Sequence, residues 1–299
     1  MNPTLLDWSK LSRRGFLLAA AALPSLKGDV PACVLTSEQE EGPYYIDGGK
    51  LRRDITEGKA GMPLTLRVGL LDAKRCGPLS SAAIDVWHCD AEGVYSGFTA
   101  NSKDEFGAGR GPRDGRGGGM PPPPRPDRMQ SFIPDMPPPP PGGRGPRHID
   151  ATRFLRGVQI TNDQGIVEFA TVYPGWYAGR AIHIRLKVHL GGDRAADTYA
   201  GGHVSHTGQL FFPEDATERI ARMQPYAKHL GVRRTTQEQD GIFRSQHGSN
   251  SIVKLERTGN SSDPDGFIAT VTFAVDPEAT PRPVGGPGRG PSGPPPFAR

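Results

Sequence analysis

The chain has 299 residues, a formal net charge of +4 and a hydrophobic fraction of 35%. That length admits one large all-β domain or two small ones, and the low apolar share implies that part of the chain lies outside any packed core. Much of the positive charge sits in arginines of two Gly/Pro-rich stretches, with no basic face interleaved with aromatics, so no nucleic-acid partner is indicated.

In chain order, Ser12-Arg13-Arg14-Gly15-Phe16-Leu17 precedes an apolar run from Leu17 to Leu23, followed by Pro24 and Lys27. This is the layout of a twin-arginine signal, and the run is far too short to span a bilayer. Residues 1–32 are therefore read as a signal or N-terminal arm, with no membrane span and with export to the periplasm or the exterior. Of three cysteines (Cys33, Cys76 and Cys89), an oxidising compartment pairs two and leaves one; all three pairings stay open.

Residues 33–276 read as one β domain. Leu64 to Leu71, Ala83 to His88, Gly165 to Val172, Ala181 to Leu190 and Phe267 to Val275 alternate or run apolar over strand lengths, with turn residues between them. Only Pro213 to Leu230 has helical spacing, with Asp215 or Thr217 as the cap. Residues 107–146 and 277–299 carry no apolar periodicity and read as a flexible insert and a disordered tail. The fold class is all-β, a β-sandwich with one or two short helices.

Chemistry concentrates in Tyr173-Pro174-Gly175-Trp176-Tyr177-Ala178-Gly179-Arg180-Ala181-Ile182-His183-Ile184-Arg185. In a strand His183 and Arg185 share one face, and Ile182, Ile184 and Leu186 share the other. An imidazole and a guanidinium turned inward need partners, so this face either borders solvent, as on an edge strand, or lines a polar site. A second dense run is Ile84-Asp85-Val86-Trp87-His88-Cys89-Asp90-Ala91-Glu92-Gly93-Val94-Tyr95.

These two runs, with Glu41-Gly42-Pro43-Tyr44-Tyr45 and Thr207-Gly208-Gln209-Leu210-Phe211-Phe212, occur in the order found in the intradiol ring-cleavage dioxygenases, which the chain resembles over about residues 33–275 apart from the insert. The resemblance implies a non-haem ferric iron, Fe(III), bound by Tyr95, Tyr177 and His183. It implies that Arg180 stabilises negative charge on the ring, that Gln209 orients substrate and that Tyr177 accepts a proton as it leaves the metal. The implied reaction joins a small aromatic diol and dioxygen, cleaving a catechol-type ring between its hydroxyl carbons to a muconate-type product.

Where the family carries a second histidine this chain has Arg185. Phenolates suit a hard trivalent cation, which in turn holds them deprotonated below a free pKa of about 10. A guanidinium keeps its proton and has no lone pair to give. Arg185 either swings aside or marks a site that has lost its iron. His189 shares the face of His183 but lies roughly 20 Å along the strand, and His206 faces away from Gln209. Water or His203 is left for the fourth place. The rival reading is an exported, non-catalytic binding module on the same sandwich. The sequence leaves the particular catechol and the oligomeric state open.

Overall fold

A computed structural model describes residues 33–99, 150–259 and 264–284. The twin-arginine motif, the 107–146 insert and the tail from residue 285 lie outside the described residues. In chain order the strands are β1 (Gly49–Lys50), β2 (Pro63–Asp72), β3 (Gly77–Pro78), β4 (Ala83–Trp87), β5 (Arg156–Ile160), β6 (Ile166–Val172), β7 (His183–Leu190), β8 (Asp193–Ala195), β9 (Thr198–Ala200), β10 (His203–Phe211), β11 (Lys254–Thr258) and β12 (Gly266–Val275). Two short helices, α1 (Glu214–Ala221) and α2 (Gly241–Ser245), follow β10.

β2 reads Pro-Leu-Thr-Leu-Arg-Val-Gly-Leu-Leu-Asp, and every second residue from Leu64 to Leu70 is buried, so its pleat has one wet and one dry face. It pairs in parallel with β12 and antiparallel with β6, and these three with β11 and β3 make a five-stranded sheet. The facing sheet has the order β10-β7-β4-β5. Leu64, Leu66, Val68, Phe169, Ala269, Val271 and Phe273 on one side meet Ile84, Val86, Ile184, Leu186, Val188 and Leu210 on the other. Each large aliphatic or aromatic side chain buried there contributes about 1.5–3 kcal/mol.

β7 is an interior strand, hydrogen-bonded to β10 on one edge and β4 on the other. The edge-strand reading of its polar row is therefore corrected. His183, Arg185, Lys187 and His189 are all buried: residues 36–46 cover Arg185 and Lys187, Tyr177 and Phe211 pack on His183, and Tyr199 packs on His189. The long helical reading is corrected as well. α1 stops at Ala221 and a short 3-10 turn, Tyr226–His229, resumes after Pro225, which has no N–H to continue a helix. Pro213 stands at its N-cap and neither Asp215 nor Thr217 caps it; the Thr217 hydroxyl is taken by Tyr173 at 2.7 Å. Tyr173 is accordingly a core residue.

Candidate active site

Two loops bring the tyrosines together. After β4 the chain turns around Asp90, whose Oδ1 accepts from the backbone N–H groups of Glu92 and Val94, each at 3.0 Å. The loop after β6 lies against this turn backbone to backbone. A Cβ on Gly93 would stand 2.2 Å from the carbonyl oxygen of Trp176, and one on Gly175 would stand 2.4 Å from that of Asp90. Only glycine permits this approach. It sets Tyr95 and Tyr177 with ring centroids 5.9 Å apart, both buried, in one cluster with Tyr44, Trp87, Cys89 and Phe98.

β7 supplies His183, whose Nδ1–H donates to the carbonyl of Ala181 at 2.7 Å, leaving the Nε2 lone pair on the side of the Tyr177 hydroxyl, 3.3 Å away. Burial, then the neighbouring Arg180 and Arg185, hold this imidazole well below the usual histidine range, so it is neutral. The Tyr95 hydroxyl is buried with no well-formed hydrogen bond. Burial first, and the phenol of Tyr177 second, push it well above the ordinary tyrosine range. Two phenol oxygens and one neutral imidazole nitrogen thus converge, and the buried Tyr95 oxygen has only the Tyr177 phenol beside it, in a poorly aligned contact. This donor set fits a hard trivalent cation on three sides. Among the described residues no group of three His, Cys, Asp or Glu is placed to hold a metal ion.

Arg185 stands on the fourth side, paired in register with Gln209 of β10 and Trp87 of β4. Its Nη1 donates to the backbone oxygen of Glu40 at 2.7 Å and its Nη2 lies 3.4 Å from the Glu40 carboxylate. Gly42, at φ +73°, lies against the guanidinium, where a Cβ would come within 2.4 Å of Cζ. The covering strap therefore grips Arg185 from outside. The same Glu40 carboxylate lies 3.2 Å from Arg180 Nη1, and Asp240 takes Arg180 Nε at 3.0 Å. Two guanidiniums are matched by two carboxylates, which removes the net repulsion that Arg185 alone would exert on a bound cation.

Arg180 is largely buried and not a surface pair; its Nη2 donates to Gln209 Oε1 at 2.5 Å, and Gln209 Nε2 donates to the Glu40 carbonyl at 3.0 Å. The structure thus brings together Tyr95, Tyr177, His183, Arg180, Gln209 and Arg185. It does not bring in His203, which is exposed with Nε2 at the carbonyl of Pro277, 2.9 Å away. That candidate for the fourth place is withdrawn: β10 begins at His203, beyond reach of the β7 cluster. His206 points to the opposite face, against Phe273. Sequence reasoning missed Glu40 and Asp240. The acidic run Glu38–Glu41 ahead of Gly42, and an aspartate placed to cap α2 through Ile242 and Phe243, were the available signals.

Buried neutral histidines give the site surroundings a pH dependence. His88 is held between the Cys89 carbonyl and the Thr171 hydroxyl, each at 2.8 Å, and burial lowers it to about 4. Its folded pKa lies below the unfolded 6.5, so its contribution is complete above pH 6.5 and is lost as pH falls towards 4. His183 and His189 share that sign. Asp85, raised to about 7 by burial, opposes them over the same window, three groups against one. Urea midpoints are expected to fall between pH 7 and pH 5, and His88→Asn is expected to remove up to one proton from that slope, about 1.4 kcal/mol per pH unit. An unchanged slope in the variant would show that His88 does not titrate on unfolding.

On this β-sandwich the buried tyrosine–histidine cluster lies beside an Arg–Gln pair, and the chain as a whole is similar in structure to intradiol ring-cleavage dioxygenases. An intradiol ring-cleavage dioxygenase from Tetranychus urticae matches with 28% identity and a TM-score of 0.61, over 84% of this chain and 98% of that one. A second dioxygenase structure matches with 28% identity and a TM-score of 0.60, over 83% of this chain and 98% of that one. No protein-family model matches the sequence, and no curated protein matches it.

Proposed function

We propose that the protein is a non-haem iron(III) dioxygenase that cleaves a catechol-type ring between its two hydroxyl carbons to a muconate-type product. The observation that carries the reading is the convergence of Tyr95, Tyr177 and His183 as a buried donor set whose Tyr95 oxygen has no well-formed hydrogen bond in the protein. Those three residues would hold the metal. A ferric ion bound there would supply Lewis acidity and make a bound catecholate reactive towards dioxygen.

The chain's own groups do the remaining work. Held as a tyrosinate by a bound ferric ion, Tyr177, at hydrogen-bonding distance from neutral His183, is the group that would take a hydroxyl proton from the entering diol. Arg180 is oriented by Asp240 and Glu40, so its guanidinium is aimed before substrate arrives and stabilises negative charge on the ring oxygens without reorganising. Gln209 is fixed at both ends of its amide, by Arg180 and by the Glu40 carbonyl, and therefore orients substrate rigidly. The strap, with Tyr44 stacked on Tyr95 at 4.3 Å, excludes water from the phenol pair. The twin-arginine motif supports export, and a small aromatic diol and dioxygen are the partners.

Reconstitution with ferric iron followed by metal analysis and a ring-cleavage assay on simple catechols tests this. One iron per chain with product formation is the expected result. Iron-free, inactive protein would favour a non-catalytic binding module whose cluster is satisfied by Arg185 and Glu40.

A further inference from the structure

We infer that Cys33 and Cys76 form a disulfide that ties the segment leading into the N-terminal strap to the β2–β3 turn. Cys33 Sγ lies 3.8 Å from the carbonyl oxygen of Asp72, and the backbone N–H of Cys76 donates to that same oxygen at 2.7 Å. Both cysteines therefore stand at the end of β2. The segment carrying Cys33 is held there independently: Thr36 N donates to Ala274 O at 2.8 Å and Ala274 N donates to Thr36 Oγ1 at 2.9 Å, on the strand whose Val275 pairs with Asp72. The Cys76 thiol beside it is the first cause that raises the Cys33 thiol above its usual range.

Backbone geometry adds a second observation. Cys76 adopts φ +53°, in the left-handed region where glycine sits without strain and a cysteine does not. A side chain kept at such a turn position has a use there, and this one is exposed while its neighbour is half-buried. Cys89 is excluded from the pair: it is buried in the aromatic cluster with Sγ 3.5 Å from the carbonyl of Gly175. Of the three pairings the sequence leaves open, only one is near at hand.

The step requires a disulfide oxidant, either glutathione disulfide or the disulfide of a thiol oxidoreductase. The accessible Cys76 thiolate attacks it, forming a mixed disulfide and expelling one thiol. The Cys33 thiolate then attacks the Cys76 sulfur, forming the Cys33–Cys76 bond and expelling the second thiol. The oxidant gains two electrons, and the two cysteine protons end on the expelled thiolates. The closed loop contains Glu38, Glu40, Gly42 and Tyr44, so the bond confines in the unfolded chain the segment that roofs the site. It does so whether or not the cluster beneath holds iron.

The test is peptide mapping under non-reducing conditions on the full chain after incubation in an oxidising glutathione buffer, with thiol titration before and after unfolding. The expected result is a Cys33–Cys76 linkage, a single thiol at Cys89 that reacts only after unfolding, and a melting temperature about 5–10 °C above the reduced form. Cys76→Ser and Cys33→Ser should each lose that gain while melting like the reduced parent. Three free thiols at an oxidising poise, a bridge that includes Cys89, or glutathione left on Cys76 with Cys33 free would each overturn the assignment.

Discussion

Iron-loaded protein should absorb in the visible through phenolate-to-iron charge transfer, and Tyr95→Phe should lose most of that absorption and bind ferric iron at least tenfold more weakly. The same substitution should leave the metal-free fold within about 1 kcal/mol of the parent. Its hydroxyl is buried with no well-formed hydrogen bond, so removing it gives up only a poorly aligned contact with the Tyr177 phenol and relieves a desolvated polar atom. Tyr173→Phe is the contrast. That hydroxyl does hold a partner, Thr217 at 2.7 Å, and lies in the hydrophobic core, so its loss should cost about 1 kcal/mol in a urea titration and leave the colour intact. Tyr177→Phe should resemble Tyr95→Phe in colour and also slow ring cleavage, since it removes the proton acceptor. Loaded protein whose spectrum is unmoved by Tyr95→Phe would take Tyr95 out of the metal site.

The second large effect is expected at Arg185. Arg185→His places an imidazole beside His183 on β7, between Trp87 of β4 and Gln209 of β10, where strand alternation already points the side chain into the cluster. The Glu40 carboxylate keeps Arg180 as its partner, the Glu40 carbonyl keeps the Gln209 amide, and the Tyr177 hydroxyl, which the guanidinium also contacts, keeps His183. What is lost is the guanidinium against Gly42, a buried volume worth about 1–3 kcal/mol of stability. What is gained is a donor with a lone pair in place of a cation. We expect at least tenfold tighter ferric iron and faster cleavage of simple catechols, read by chelator competition and product formation. If the parent already holds one iron per chain and Arg185→His lowers both iron and cleavage, Arg185 is adapted to this site and is not a lost ligand.

Much of this was legible in the residues, and the reason is that it is local. Leu64 to Leu71 and Phe267 to Val275 alternate because each faces a core on one side only, which any strand in a sandwich must do, and the period of two then dictated that Arg185 shares a face with His183 and that His206 turns away from Gln209. The resemblance of four short runs was enough to name Tyr95, Tyr177, His183, Arg180 and Gln209, and the fold bears out the family likeness. The sequence by itself thus determined β2, β4, β6, β7 and β12, the sides their residues take and the chemical types available to the site, while the other strands, β5 and β10 among them, were not read from it.

Only the tertiary structure decided which partners those groups have. Glu40 meets Arg180 and Arg185 across 140 and 145 residues of chain, Asp240 meets Arg180 across 60, and Cys33 meets the Cys76 turn, because a strap and a helix cap are folded onto a sheet they do not neighbour in sequence. The same packing buries a polar row that alternation alone would equally have allowed on an exposed edge, and leaves His203 outside. Alternation is a property of one strand's backbone, whereas charge compensation and burial depend on what lies a few ångströms away in space, and that is set by how the layers stack.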